Sequence, residues 1–404
     1  MRFRPLLLIS ILLVATGALA QDKANKPILV SERARAIHRS APVIDGHNDL
    51  PWAMRQIKGR FDATDISQHQ PSLHTDIPRL KKGGVGAQFW SVYVPVSTQR
   101  DGKALATTLE QIDLVHEMIR RYPETFQLAL GTDDIQRIRG EGKIASLIGV
   151  EGGHSIENSL NVLRQLYARG ARYMTLTHSK TLDWADSCTD EAKHGGLSKF
   201  GEQVVREMNR LGMLVDISHV SPDCMRDTLR VTQAPVIFSH SSARAVADHP
   251  RNVPDDVLRL TRDNGGVVMI NFFNSFVHPD DAQRSVERME LQTRLRQEFT
   301  GKPDRIASAL KQWDLQHPAA ANCSVHHVLE HIDHVVKVAG VAHVGLGSDY
   351  DGISATPLQL RDVSTYPVLT QGLLDRGYSE SDIRKILGEN LIRVFKKVEQ
   401  AAQR

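Results

Sequence analysis

Residues 43–50, with the sequence VIDGHNDL, decide the fold prediction. The apolar pair Val43-Ile44 runs into His47 and Asp49, and Pro51 closes the stretch, which is typical of a buried strand ending in a polar turn. Because side chains alternate along a strand, His47 and Asp49 are predicted to point to the same side. An imidazole and a carboxylate placed in this way are suitable ligands for a zinc-like cation. Taken alone, the pair also fits a chance His-x-Asp in a loop.

Further along the chain, short apolar or β-rich segments alternate with segments of helical periodicity. The predicted strands are 43–50, 86–94, 145–150, 173–177, 213–218, 235–239, 266–272 and 342–347. About eight strand–helix units predict an α/β protein with a (β/α)8 barrel. An open doubly wound sheet is the alternative, but no glycine-rich phosphate loop follows any strand. A polar, helix-prone excursion is predicted at 278–321, and no linker divides residues 21–404.

Polar residues capable of metal binding or proton transfer stand at the ends of six predicted strands. These residues are His47 and Asp49, Glu151, His178, His219, His240 and Asp349. In barrel enzymes the carboxyl ends of the strands form the active-site mouth. More than four candidate nitrogen and oxygen ligands predict two zinc-like ions bridged by a carboxylate. Because such ions lower the pKa of a bound water and stabilise an oxyanion, the pattern predicts hydrolysis of an amide or ester.

The composition is that of an ordinary globular protein, with 41% hydrophobic residues, 24% charged residues and a formal net charge of +3. No basic stripe with interleaved aromatic residues is present, so no nucleic-acid partner is predicted. Residues 1–20 combine a basic start, an apolar core and a small-x-small end, which predicts a cleavable signal peptide and export to the periplasm or the medium. The polar C-terminus predicts no stable membrane anchor. The odd set Cys188, Cys224 and Cys323 allows one disulfide at most.

Seven segments of the chain resemble the membrane (renal) dipeptidases and their bacterial relatives, zinc peptidase family M19. They are VIDGHNDLPW (43–52), GVEGGHSIEN (149–158), MTLTHS (174–179), DISHVS (216–221), VIFSHSS (236–242), RNVPDD (251–256) and GSDYDG (347–352). The resemblance implies a zinc-dependent (β/α)8 barrel of the amidohydrolase-like type that hydrolyses dipeptides with a metal-activated bridging water. It also implies a homodimer, and it leaves open whether a D-residue is accepted at the C-terminal position of the substrate.

The resemblance implies a metal-binding role for five residues. His47 and Asp49 would bind one zinc ion, and His219 and His240 would bind the other. Glu151 would bridge the two ions and is counted among the catalytic residues as well. From the residues alone, Glu151 also fits a carboxylate in the turn that follows its strand.

The resemblance implies three further roles at the same mouth. His178 would contact the substrate carbonyl and polarise it. Arg251 would bind the C-terminal carboxylate of a dipeptide, although a surface charge near the helix that starts at Pro254 is the alternative. Asp349 would contact the substrate and carry the proton from the water to the leaving amine, with Asp351 as the alternative.

Other features leave competing interpretations. His154 is predicted either to support the site from behind its ligands or to be structural, and a solvated or packing face is predicted for the histidines of one helix, namely His326, His327, His331 and His334. The excursion at 278–321 would affect substrate choice if it overhung the mouth. The competing functions are another binuclear amidohydrolase, acting on an acylated amino acid or a lactam, and a binding protein without catalysis. The binding protein is disfavoured because none of the expected site residues is missing.

Overall fold

The computed structural model describes residues 26–41 and 43–402, so the predicted signal peptide at 1–20 lies outside the described residues. The strands are β1 (Val43–Asn48), β2 (Val85–Ser91), β3 (Phe126–Leu128), β4 (Ile144–Glu151), β5 (Ala171–Thr175), β6 (Leu214–Asp216), β7 (Ile237–Phe238), β8 (Val267–Ile270) and β9 (Val344–Leu346). All strand pairs are parallel. The ring runs β1-β2-β4-β5-β6-β7-β8-β9, and β9 pairs back to β1. The predicted (β/α)8 barrel is therefore confirmed, and an open doubly wound sheet is excluded.

One strand was not predicted. The three residues of β3 pair with the first residues of β4 outside the ring. Three residues are too few to show the alternation that identifies a strand in a sequence. The eight predicted strands all overlap observed strands of the ring, although several are shorter than predicted because their last residues turn into the loops at the mouth.

Helices surround the barrel, and the polar excursion forms two of them, Pro279–Glu298 and Pro303–Gln316. The other α-helices are Glu32–Ser40, Leu50–Gln56, Arg60–Ala63, Ile77–Lys82, Ser97–Arg100, Ala104–Arg121, Thr132–Gly140, Leu160–Ala168, Lys199–Leu211, Pro222–Val231, Asp255–Asn264, Asn274–Val277, Val325–Ala339, Tyr366–Asp375, Glu380–Arg384 and Asn390–Ala401. Within the described ranges, none of the helices combines the length and the apolar character needed to cross a membrane.

The local sequence explains where the helices begin and end. The side chain of Ser198 accepts a hydrogen bond from the backbone N–H of Gly201 and so caps the helix Lys199–Leu211. Gly212 ends this helix with φ 78°, a left-handed conformation that glycine adopts without strain. Such signals place a helix directly before β6, which returns the chain to the bottom of the barrel.

The interior of the barrel is filled by side chains rather than open. Ile44, Phe89, Leu147 and Ile237 are buried there against the helix Asn390–Ala401, which closes the lower end. Burying a large apolar side chain contributes about 1.5–3 kcal/mol, so this packing gives a rigid base. Polar side chains that leave the strands can therefore gather only at the opposite end, where the strands finish.

The three cysteines take no part in a disulfide. Cys188, Cys224 and Cys323 are all free thiols, and the single disulfide that the sequence allowed is not formed. Burial raises the pKa of Cys188 and Cys224, which keeps both thiols protonated and unreactive at neutral pH.

Candidate active site

The predicted site residues gather at the carboxyl end of the barrel. His47 lies within β1 and Glu151 is the last residue of β4. The other predicted residues lie in the short segments that directly follow β5, β6, β7 and β9, namely His178, His219, His240 and Asp349. The structure thus brings together residues that are far apart along the chain.

Asp49 reaches the site by a different route from the predicted one. Strand β1 ends at Asn48, and Asp49 precedes the helix Leu50–Gln56 with φ −97° and ψ 21°. Strand alternation therefore does not orient its side chain, and that part of the prediction was wrong. Its backbone N–H donates to the carbonyl oxygen of Tyr350 (2.8 Å), and its Oδ2 lies 3.3 Å from Nε2 of His47.

Four imidazole rings converge on one oxygen of Glu151. Its Oε1 lies 3.1 Å from Nε2 of His219, 3.4 Å from Nε2 of His240 and 3.5 Å from Nε2 of His47. The Nε2 atom of His178 is 3.8 Å from the same oxygen. The Nε2 atoms of His219 and His240 are 2.9 Å apart, a close approach of two nitrogens that a shared cation stabilises.

In the rings of His47 and His240, a hydroxyl group holds Nδ1, the outer nitrogen, so that Nε2, the inner nitrogen, faces this cluster. Nδ1 of His47 lies 2.7 Å from the hydroxyl of Tyr173, and Nδ1 of His240 lies 2.8 Å from the hydroxyl of Ser239. The inner nitrogen of His47 is fully buried and has no hydrogen-bond partner among residues 26–41 and 43–402. A buried ring nitrogen without a partner is costly unless it binds a ligand, so the donors fit a metal ion.

Among the described residues, three groups of side chains have ligand atoms close enough to hold a metal ion, within 4.8 Å of one another in each group. One group is His47, Asp49 and Glu151, and another is Glu151, His219 and His240; these two share Glu151. The third group includes Asp349 and is described below. The sequence resemblance implied the first two groups as ligand sets, and that assignment stays a prediction.

The protonation of the cluster also suits a cation. Burial lowers the pKa of His219 and His240 well below the usual histidine range, and the positive charge of Arg251 acts in the same direction. Burial alone would raise the pKa of Glu151, but His47 and other histidines outweigh it and hold this pKa well below its usual range. Burial alone would lower the pKa of His47 too, but the negative charges of Glu151 and Asp49 outweigh it and raise this pKa well above the usual histidine range. Neutral imidazole and ionised carboxylate are the forms that bind metals, so a metal ion would replace the proton of His47.

Asp349 and Asp351 differ in what they contact. Oδ2 of Asp349 accepts a hydrogen bond from Asn271 (2.8 Å), and Asp349 forms a further metal-competent group with His47 and His240. Oδ1 of Asp351 instead accepts from the backbone N–H of His74 (2.6 Å). Burial raises the pKa of both carboxyl groups, that of Asp351 to about 6.

Arg251 lies beside the cluster and is 3% exposed, which contradicts the alternative of a surface charge. Its Nη2 donates to the carbonyl oxygen of His240 (3.0 Å) and its Nη1 to the hydroxyl of Ser241 (3.2 Å). The Nε atom is buried and has no partner within the part of the chain that the structure describes. The guanidinium carbon lies 5.1 Å from the ring centre of Phe276. A free, buried donor here is suited to an anionic group of a ligand.

The cluster opens into a cavity of about 490 Å3. Besides the residues already described, its lining consists of Trp52, Tyr93, Phe273, Phe276, Gly352, Ile353 and Ser354. Among the described residues, those that line the cavity all lie outside 278–321, so the excursion does not form its walls. The cavity has the size of a small-molecule site with aromatic walls and a charged floor.

Two polar residues beside the predicted ones, Tyr93 and Asn271, were not expected from the sequence. Tyr93 follows β2, and its ring centre is 4.8 Å from that of His178. Burial and the charge of Glu151 raise the pKa of Tyr93 to about 12, so its hydroxyl remains a donor. Asn271, which binds Asp349, follows β8. These are the two strands to which the analysis had assigned no polar residue, and the same strand-end rule would have identified both.

His154 and His331 do not line the cavity. His154 is buried, its Nε2 lies 3.0 Å from the carbonyl oxygen of Val94, and burial lowers its pKa to about 4. His331 is buried between Ala243 and Val277. Both residues therefore have structural contacts, as the sequence predicted for them.

A (β/α)8 barrel with imidazoles and carboxylates converging at the strand ends defines the class of metal-dependent hydrolases. The chain belongs to the membrane dipeptidase family, peptidase family M19, whose model matches residues 31–404. It is 41% identical over 379 residues to dipeptidase 3 of Mus musculus, with 92% of this chain and 68% of the relative covered. It is accordingly a metallo-dipeptidase that hydrolyses peptide bonds.

Solved structures share the fold. The probable dipeptidase PvdM from Pseudomonas aeruginosa superposes with a TM-score of 0.79 at 24% identity, covering 92% of this chain and 98% of that one. A metallo peptidase from Rhodobacter sphaeroides, liganded with a phosphinate mimic of the dipeptide L-Ala-D-Ala, has a TM-score of 0.72 at 24% identity, covering 89% of this chain and 99% of that one.

Proposed function

We propose that the protein hydrolyses dipeptides at a centre of two zinc ions that share Glu151. The observation that carries the proposal is the convergence of four imidazoles on one carboxylate oxygen beside a buried arginine with a free donor. Two metals explain why the site has more ligands than one tetrahedral ion uses. Arg251 explains why the substrate would carry a free carboxylate.

In this proposal, His47 and Asp49 hold one ion, His219 and His240 hold the other, and Glu151 belongs to both. The bound ions would supply Lewis acidity and a water molecule of lowered pKa. The protein supplies the fixed positions, because all five side chains are buried and the rings of His47 and His240 are each held by a hydroxyl.

The remaining residues would bind the substrate and move protons. Arg251 would bind the C-terminal carboxylate, and its fixed distance from the cluster would exclude longer peptides. His178 is partly exposed to the cavity and would donate to the scissile carbonyl as negative charge develops on its oxygen. Asp349 would take the proton of the attacking water and deliver it to the leaving amine, since burial favours its protonated form.

We further propose that the protein accepts a D-residue as well as an L-residue at the C-terminal position of the dipeptide. The ligand of the Rhodobacter sphaeroides structure, which mimics a dipeptide that ends in a D-residue, supports this part of the proposal. Comparing L-Ala-D-Ala with L-Ala-L-Ala tests it, and a rate for the D-form more than 100 times lower would contradict it.

We also propose that the chain is exported after removal of residues 1–20 and acts as a homodimer. The basic and apolar pattern of residues 1–20 supports export. Amino-terminal sequencing of protein from cell fractions tests the cleavage, and a mature chain that retains Met1 would contradict it. Light scattering of the purified protein tests the dimer.

The central experiment measures metal content and substrate range together. Protein purified without chelators is expected to carry about two zinc ions per chain, to cleave dipeptides and to leave the matching tripeptides intact. Chelation is expected to abolish the activity and zinc to restore it. Bound zinc without dipeptide turnover would move the substrate to an acylated amino acid or a lactam. A chain without metal and without turnover under zinc-replete conditions would refute the proposal.

A further inference from the structure

Two buried aspartates outside the ligand set make the same arrangement on opposite sides of the barrel. Asp45 lies in β1 and Asp216 ends β6, and both side chains are completely buried. Each carboxylate accepts two backbone N–H bonds and two hydroxyl bonds. In each case one bonded serine directly precedes a residue of the active site on the neighbouring strand.

In the first arrangement, Oδ1 of Asp216 accepts from the backbone N–H groups of Ser218 (3.0 Å) and Ser239 (2.8 Å). Its Oδ2 accepts from the hydroxyls of Ser239 (2.5 Å) and Thr175 (2.5 Å). We call Asp216 and Ser239 the Asp216 clasp. It joins β6 to the end of β7, and the next residue is His240.

In the second arrangement, Oδ1 of Asp45 accepts from the backbone N–H groups of His47 (3.2 Å) and Ser348 (2.9 Å). Its Oδ2 accepts from the hydroxyls of Ser348 (2.5 Å) and Tyr366 (2.6 Å). We call Asp45 and Ser348 the Asp45 clasp. It joins β1 to the segment after β9, and the next residue is Asp349.

The two clasps differ in one respect. The hydroxyl of Ser239 has a single proton, which it donates to Asp216, so toward Nδ1 of His240 (2.8 Å) its oxygen can only accept. Nδ1 of His240 must then carry a proton, and the lone pair of Nε2 faces Glu151. Ser348 makes no such bond to a histidine ring in the described structure. Besides Asp45, its hydroxyl faces the backbone oxygen of His47 (3.4 Å).

We propose that Asp216 and Ser239 are positioning residues that set the tautomer and the basicity of His240 as a metal ligand, and that Ser348, held by Asp45, positions Asp349. The buried carboxylate of Asp216 polarises the Ser239 hydroxyl, which in turn accepts the ring proton of His240. A partner of this kind at the outer nitrogen typically changes metal affinity 10–100-fold. The proposal rests on the metal centre of the proposed function but not on its substrate.

Ser239→Ala and Thr175→Val form a matched pair. Each variant removes one hydroxyl bond to the same oxygen of Asp216, so the two are expected to lose similar thermal stability. Only Ser239 touches a metal ligand. Metal-stripped protein is titrated with Co2+ and with Zn2+ against a competing chelator. Ser239→Ala is expected to lower the binding affinity for one of the two ions about 10–100-fold and to change the Co2+ absorption spectrum. Thr175→Val is expected to stay within about threefold of the unaltered protein.

The outcomes separate this proposal from the proposed function. Unaltered protein that binds no metal would refute the metal centre. Unaltered protein that binds two ions but cleaves no dipeptide would refute the proposed substrate class, and the proposal on the Asp216 clasp could still be tested. Equal metal affinities of Ser239→Ala and the unaltered protein would overturn the proposal that Asp216 and Ser239 position His240. A loss of metal affinity in Thr175→Val as large as that in Ser239→Ala would overturn it as well. If Ser239→Ala does not fold, nitrogen-15 NMR of histidine-labelled unaltered protein replaces it, since a proton on Nε2 of His240 would overturn the proposal.

Ser348→Ala tests the second clasp. Loss of its bond to Asp45 frees the segment that carries Asp349, so kcat is expected to fall about tenfold or more while metal affinity stays within about threefold. A loss of metal affinity as large as that of Ser239→Ala, or an unchanged kcat, would show that the Asp45 clasp does not position Asp349.

Discussion

Lowering the pH from 7 to 5 is expected to reduce the free energy of unfolding, and His331 is expected to account for about 2 kcal/mol of that loss. Replacing His331 by glutamine is therefore expected to make the loss smaller by this amount. His331 is fully buried in the helix Val325–Ala339. Its Nδ1 accepts from the backbone N–H of Ala243 (2.9 Å), and its Nε2 faces the carbonyl oxygen of Val277 (3.1 Å). This geometry requires the neutral ring with its proton on Nε2. A second proton on Nδ1 would oppose the N–H of Ala243.

The magnitude follows from the shift in pKa. Burial lowers the pKa of His331 from the ordinary 6.5 to about 3, and the nearby His334 acts in the same direction, while the bond to Val277 opposes them. The unfolded chain takes up a proton near pH 6.5, but the folded chain does not until about pH 3. The free energy of unfolding therefore falls by about 1.4 kcal/mol for each pH unit below about 6.5. Because the fall begins only near pH 6.5, its total between pH 7 and pH 5 is about 2 kcal/mol.

Urea unfolding of both proteins at pH 7 and pH 5, with zinc in excess, measures the effect. At pH 7 His331→Gln is expected to be less stable by about 1–3 kcal/mol, because the N–H of Ala243 loses its acceptor. The difference between the two proteins is then expected to shrink by about 2 kcal/mol at pH 5. Other titrating groups are common to both proteins and cancel. Equal losses in the two proteins, within about 0.5 kcal/mol, would refute the argument.

The other predictions concern the site. Arg251→Lys is expected to lower kcat/KM for a dipeptide about 100-fold but to leave the slow cleavage of the matching dipeptide amide nearly unchanged, and equal losses would contradict the carboxylate contact. Gly352→Ala places a Cβ against the carboxylates of Asp49 and Asp349, so kcat is expected to fall roughly 100-fold while the fold survives, and unaltered turnover would contradict this. Asp349→Asn is expected to keep its metal and to lose about 100-fold or more in turnover, whereas His219→Ala is expected to lose metal as well; metal analysis and kinetics separate the two.

Much of the barrel could be predicted because its strands are local features. Each is a short apolar run closed by a polar residue, as in β1 with His47 or β4 with Glu151, and burial on both faces leaves such runs almost free of charge. The repetition of strand and helix then leaves few topologies. β3 was missed because its three residues carry too little pattern.

The contacts between strand ends were less accessible. Asp49 was placed on β1, yet it starts a helix and reaches His47 because its backbone is held by Tyr350, a residue 301 positions later along the chain. The burial of Arg251 was also open, since one charged residue before a helix looks the same in a sequence whether it faces solvent or a cavity. Both depend on which distant segments pack together.

The sequence by itself determined the order of the eight strands of the ring and of the helices between them, the polar residues at the ends of six of these strands, and the family. These properties depend on neighbours along the chain and on periodicity, which a sequence displays directly. Only the tertiary structure decided that four imidazoles meet at one oxygen of Glu151, that Arg251 is buried with a free donor, and that Asp216 reaches His240 through Ser239. The physical reason is that closure of the barrel sets these distances, and closure is a property of all eight strands together.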